Sequence, residues 1–214
     1  MEGLVDVRFR LQGNLIPADH GYPLFSAVSQ LIPELHSDEE LGVHPIAGRP
    51  SGNRCITLAE GSSLCIRLPA NRIKQVLPLA GTVLSIGEYT VRVGTPQTIA
   101  LKPAARLYSR IVVIKGFLEP LAFLEAARRQ LEKLDIKGKA SLVPQPNIAE
   151  SNAGKHTGTR SPFLRRTIRI RGKEVVGFAL RVDGLTAEES ILLQEKGLGG
   201  RRRFGCGVFI PDKR

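Results

Sequence analysis

The chain has 214 residues, 42% of them hydrophobic, enough to bury one large core or two small ones, which excludes disorder as its main state. Lys and Arg number 31 against 20 Asp and Glu, a net charge of +11, so the surface attracts polyanions, nucleic acid first among them. No run approaches the roughly 18 uncharged apolar residues that span a bilayer, and the first ten residues alternate charged and apolar side chains unlike a signal peptide, so a soluble, cytoplasmic protein with no membrane partner is expected.

Leu4 to Gly13 alternates apolar and polar residues and predicts a half-buried strand. After a turn through Pro17 to Gly21, Pro23 opens an amphipathic helix over residues 23 to 35, with a kink expected at Pro33. Cys55 to Leu58 and Leu64 to Leu68 read as a hairpin around Glu60-Gly61, Asn71 to Leu77 as a short helix, and Thr82 to Val93 as strands turning near Gly87. That order is βαββαβ, and residues 1–94 are expected to form one unit. A loop at Gly94 to Thr98 precedes a second copy, residues 99–214. Its parts are a strand over Leu107 to Lys115, a helix from Leu121 to Leu134, a strand over 139 to 143, and Thr167 to Arg171 paired with Val175 to Val182 across Gly172-Lys173. Thr186 with Glu189 is a capping-box signature for a helix of about ten residues closed by Gly197, and Val208 to Ile210 supplies the last strand. The expected fold class is α+β: two tandem ferredoxin-like (RRM-like) units with a C-terminal glycine-rich loop.

The charge is concentrated toward the C-terminus. Residues 151–214 carry 14 Lys and Arg against 6 Asp and Glu. Within Pro144 to Arg166, a long connection rich in Pro, Gly and Ser, Lys155, Arg160, Arg165 and Arg166 form a basic stretch suited to RNA, and His156 reads as a solvated residue or a further contact. Cys55, Cys65 and Cys206 are too few and scattered for a disulfide framework and read as reduced, buried thiols.

The most informative stretch runs from Gly197 to Phe209. Gly197, Gly199, Gly200, Gly205 and Gly207 surround Arg201, Arg202 and Arg203, a pattern read as a phosphate clamp in which backbone amides converge on an anion and arginines add bidentate donors. It is neither a Walker loop nor a dinucleotide fingerprint. Together with Pro17 to Tyr22, Leu35-His36, Gly42 to Ile46 and Gly184 to Ser190, this loop resembles the CRISPR-associated endoribonucleases of the RAMP superfamily that cut repeat transcripts into guide RNAs, nearest a type I subfamily. The resemblance implies metal-independent cleavage with no cofactor: the ribose 2′-hydroxyl attacks its own adjacent phosphate, leaving a 2′,3′-cyclic phosphate and a 5′-hydroxyl. It also implies repeat RNA (crRNA) as partner, a retained product, and other subunits of a type I guide-RNA surveillance complex. A non-catalytic RNA-binding subunit of the same superfamily is the alternative.

Such chemistry needs a proton-transfer group and a cation, and histidine suits the former. His20 and His36 lie at opposite ends of a helix about 20 Å long, so they compete rather than cooperate. In the family a Leu-His pair after the first helix marks the catalytic histidine, which favours His36; other branches place it where His20 stands. Tyr22 fills the family's tyrosine position or is a core residue of its helix. The family's lysine has no early counterpart, since the first lysine is Lys74, and Arg49 or Arg54 stands in for it. His44 reads as a structural strand residue. No metal-ligand motif is recognisable.

Overall fold

The computed structural model describes residues 3–38, 40–145 and 161–212. Strict alternation makes β1 (Leu4–Gln12) bury Val7, Phe9 and Leu11 while Arg8, Arg10 and Gln12 face out. The chain continues through β2 (Leu15–Pro17), α1 (Gly21–Leu31), β3 (Gly42–Val43), β4 (Arg49–Pro50), β5 (Cys55–Thr57), β6 (Ser63–Pro69), the one-turn helix α2 (Ile73–Val76), β7 (Val83–Ile86) and β8 (Tyr89–Ala100). The first sheet has the antiparallel order β3-β6-β1-β8-β7. Its apolar face joins Leu24, Phe25, Ala27 and Val28 of α1 in one core.

The second half repeats the order with β9 (Arg106–Val112), α3 (Pro120–Lys133), β10 (Lys139–Leu142), β11 (Arg165–Ile170), β12 (Lys173–Asp183), α4 (Ala187–Lys196) and β13 (Ile210–Pro211). Its sheet runs β10-β12-β9-β13, with β11 also paired to β12. In each sheet the first strand lies between the third and the last, which is the arrangement a βαββαβ chain reaches in the tandem ferredoxin-like fold.

Several sequence expectations need correction. Cys55 to Leu58 and Leu64 to Leu68 form no hairpin: β5 joins β2 and β4 in a separate three-stranded sheet, and β6 lies between β1 and β3. Leu64 to Leu68 is buried throughout, as an inner strand requires, whereas Thr57 is exposed. The first helix stops at Leu31, and Pro33 opens a separate 3₁₀ turn, Pro33–Ser37. The segment expected as a loop, Gly94 to Thr98, is part of β8. There the register against β1 shifts between Phe9 and Leu11, so a bulge absorbs what composition suggests is a break. The β11–β12 turn is Arg171-Gly172, both at positive φ, one residue earlier than expected. Arg165 and Arg166 are strand residues of β11, not loop residues, while Lys155, His156 and Arg160 lie outside the described residues. Cys65 and Cys206 are buried and Cys55 is half-buried, all three free.

Arg67 is one of the side chains that join the halves. Arg67, on β6 and 1% exposed, donates from Nε and Nη2 to the two carboxylate oxygens of Asp6 at 2.7 and 2.9 Å. Its Nη1 reaches into the second half and donates to the carbonyls of Gln194 and Phe209 at 2.9 and 2.8 Å. A buried guanidinium is tolerated when its donors are satisfied in this way.

Candidate functional site

The glycine-rich segment begins where α4 ends. Thr186 and Glu189 form the reciprocal capping box at the start of that helix, and Gly197 closes it at φ +66°. A Cβ on Gly197 would lie 2.3 Å from the Gly207 carbonyl oxygen, and one on Gly207, also at φ +66°, 2.1 Å from that of Leu198. The two stems of the loop therefore touch backbone to backbone, which only glycine permits. The amides do not converge on an anion as the sequence suggested. Those of Gly197, Gly199, Gly200, Gly205 and Gly207 donate to Leu193 O, Gln130 Oε1, Val113 O, Arg202 O and Ile111 O. The glycines build the loop, and its charge is carried by the arginines.

Those three arginines have different settings. Arg201 is exposed in the left-handed region at φ +69°. Arg202 turns inward, its Nε and Nη2 buried without a hydrogen-bond partner, and burial together with the neighbouring Arg67 guanidinium pushes its pKa down to about 10. Arg203 lies over the rings of Phe25 and Phe204, at 5.6 and 5.3 Å, and donates through Nη1 to the carbonyl of His36.

That bond ties the loop to the 3₁₀ turn after α1. The exposed ring of His36 stacks on Phe25 with centroids 6.2 Å apart and planes 29° from parallel. His36, Ser37 and Asp38 form one wall of a groove whose other wall is Gly199 to Phe204. An imidazole and three arginines thus line one concavity. Tyr22 stands behind it, half-buried, its ring 5.7 Å from that of Phe204. Gly21 makes the approach of α1 possible, since a Cβ there would lie 2.3 Å from the Phe204 carbonyl.

His20 is elsewhere and differently committed. It is 2% exposed, its Nδ1 within 2.9 Å of the Pro17 carbonyl and its Nε2 accepting the Ile46 N–H at 2.9 Å. The pair assigns the Nδ1–H tautomer, and burial holds the pKa down at about 4. A neutral ring with both nitrogens engaged has no lone pair to offer a substrate. Arg54 lines the cavity beside His20, and Arg49 lies on β4; neither lines the His36 groove.

His44 follows β3 and its Nε2 lies 3.2 Å from Asp6 Oδ1, with burial holding its pKa down. Asp6, His44 and Cys65 offer ligand atoms within 4.8 Å of one another, a grouping their sequence positions conceal. Both oxygens of that carboxylate already accept from Arg67, however, and burial pushes the Cys65 thiol up to about 12. A cation there would face the guanidinium that both carboxylate oxygens already bind, so the residues do not fit a metal.

Sequence reasoning missed Arg67, Gly21 and Phe25 as supports of the site. Nothing local marks Arg67, whose acceptors Gln194 and Phe209 lie 127 and 142 positions away.

A family model described as Cas6 Crispr matches residues 5–214. The CRISPR-associated endonuclease Cas6 of Myxococcus xanthus (strain DK1622) is 37% identical over 210 residues, covering 98% of this chain and 82% of that protein. Among solved structures, a CRISPR associated protein Cas6 superposes with a TM-score of 0.65 at 11% identity, covering 98% of this chain and 100% of the other. A RAMP protein binding different RNA substrates gives a TM-score of 0.65 at 14% identity, with the same coverage.

Proposed function

Because the chain belongs to the Cas6 family of CRISPR-associated endonucleases, we propose that it cuts CRISPR repeat RNA in the groove between His36 and the Arg201–Arg203 loop. The observation that carries this reading is the exposed imidazole of His36 in the same groove as the arginines, held there by Phe25 and by the Arg203 bond to its own carbonyl.

The reaction is transesterification. The 2′-hydroxyl loses its proton, its oxygen bonds to the adjacent phosphorus, the P–O5′ bond breaks, and the departing 5′-oxygen takes a proton. The products are a 2′,3′-cyclic phosphate and a 5′-hydroxyl. His36 serves as the proton-transfer group, and Arg201 supports the charge that gathers on the non-bridging oxygens. Tyr22 braces Phe204 and through it the loop. His20 fixes the Pro17 and Ile46 backbones and takes no part in the chemistry. Because the arginine contacts persist after cleavage, the product stays bound, and a guide-RNA complex is the natural destination of such a protein–RNA pair.

Single-turnover cleavage of labelled repeat RNA in EDTA tests the reading. The wild-type chain should give one cut with a cyclic phosphate end, and His36→Ala should lower the rate by about 10² to 10⁴ with RNA affinity nearly unchanged. A wild-type rate in His36→Ala would place the site elsewhere.

A further inference from the structure

A second basic concavity lies on the other side of Phe204, where the start of α1 meets β9 and β11. It encloses about 300 Å³. Four arginines line it, Arg54, Arg110, Arg165 and Arg166, against one carboxylate, Asp19. Arg110 makes no hydrogen bond or ion pair among the described residues, and burial followed by the Arg166 charge lowers its pKa. The Nε of Arg166 is buried without a partner. Asp19 accepts the Arg169 N–H on Oδ2 at 2.8 Å and leaves Oδ1 buried and unpaired. Burial raises the Asp19 pKa, with Arg54 and Arg110 acting against it.

Like charges gathered in a partly desolvated space repel, and a bound anion relieves that repulsion while satisfying the open donors. α1 adds to the same field, because its N-terminal end opens here with no acidic residue in its first turn and no side-chain cap. The cavity is not purely ionic, since Leu24 and Ile168 line it as well. An apolar surface, a cationic wall and one isolated acceptor suit a group with a flat body, a phosphate and a polar N–H or O–H. The space is too small for a double helix and larger than bare phosphate requires.

We infer that this cavity binds one phosphorylated nucleoside, its phosphate against Arg110, Arg166 and the start of α1, and a base or ribose donor on Asp19 Oδ1. The site is distinct from the groove at His36. The nucleotide arrives either as an unpaired residue of the RNA chain or as a free nucleotide; only the first source rests on the function proposed above.

The test uses the full chain carrying His36→Ala. Calorimetric titration with AMP, GMP, CMP and UMP should give saturable binding for at least one. The matching nucleoside and inorganic phosphate should each bind at least about tenfold more weakly, and so should that nucleotide to the Arg110→Gln/Arg166→Gln variant. The variant should melt close to its parent, because relief of the repulsion between Arg110 and Arg166 offsets the attraction that Arg110 loses to Asp19. If RNA fills the site, the bound nucleotide competes with repeat RNA and the double variant weakens RNA binding; if a free nucleotide fills it, RNA affinity is indifferent to both changes. Absence of saturable binding by all four nucleotides, equal binding of inorganic phosphate, or full binding by the double variant overturns the inference. Failure of the catalytic reading shows separately, as cutting by His36→Ala.

Discussion

His20 and His36 are chemically identical and lie in opposite surroundings. The first is sealed under backbone and neutral; the second is open to solvent beside guanidinium groups. The contrast predicts a pH dependence of stability. With a folded pKa of about 4 against about 6.5 when unfolded, His20 takes up its proton first in the unfolded chain, so stability falls as pH drops from about 6.5 to about 4. Integrated over that window the loss is of order 3 kcal/mol, and chemical denaturation at several pH values should show it reduced in His20→Gln. Both histidines are legible in the sequence as candidates. The Leu-His resemblance favours His36, but the difference in their surroundings is not legible, because it depends on the Ile46 amide, 26 residues from His20 and delivered only by the tertiary fold. The same holds for the arginine triplet, which reads as three equal phosphate contacts but folds into one exposed, one inward and one stacked side chain. Arg201→Ala should therefore lower the slope of log affinity against log salt by about 0.7 to 0.9, a value that salt titration of RNA binding reads directly.

At the scale of elements, the loop is held by backbone contact, so its sensitivity to side chains is position-specific. Gly207→Ala combines positive φ with a 2.1 Å clash against the Leu198 carbonyl, whereas a Cβ on Gly200 meets nothing within 4 Å. The first should cost more than about 2 kcal/mol and lower the melting temperature by several degrees; the second should leave it almost unchanged. Thermal melts of the two variants check both, with RNA cleavage expected to fall in the first. The capping box of α4 and the alternation of β1 are visible in the sequence because each is a local signal. β3 is not, since Gly42–Val43 is too short to carry a period and exists through its pairing with β6. The missed bulge in β8 has the same origin, a glycine whose place is set by the partner strand.

For the whole molecule, the +11 charge identifies the class of partner but not how two similar halves become one surface. Both concavities lie where the halves meet: the groove pairs the turn after α1 with the loop after α4, and the arginine cavity pairs the start of α1 with β9 and β11. Arg67 sits beneath this junction, and its acceptors Gln194 and Phe209 flank the glycine-rich loop on either side. If the second half opens alone, the buried Arg67 guanidinium loses two of its acceptors, and if the first opens alone, the Gln194 and Phe209 carbonyls lose their donor. Unfolding should be a single cooperative event, with calorimetric and van't Hoff enthalpies equal. In Arg67→Met, which removes the charge while keeping much of the side chain's bulk, the heat-capacity trace should split into two transitions, one for each half.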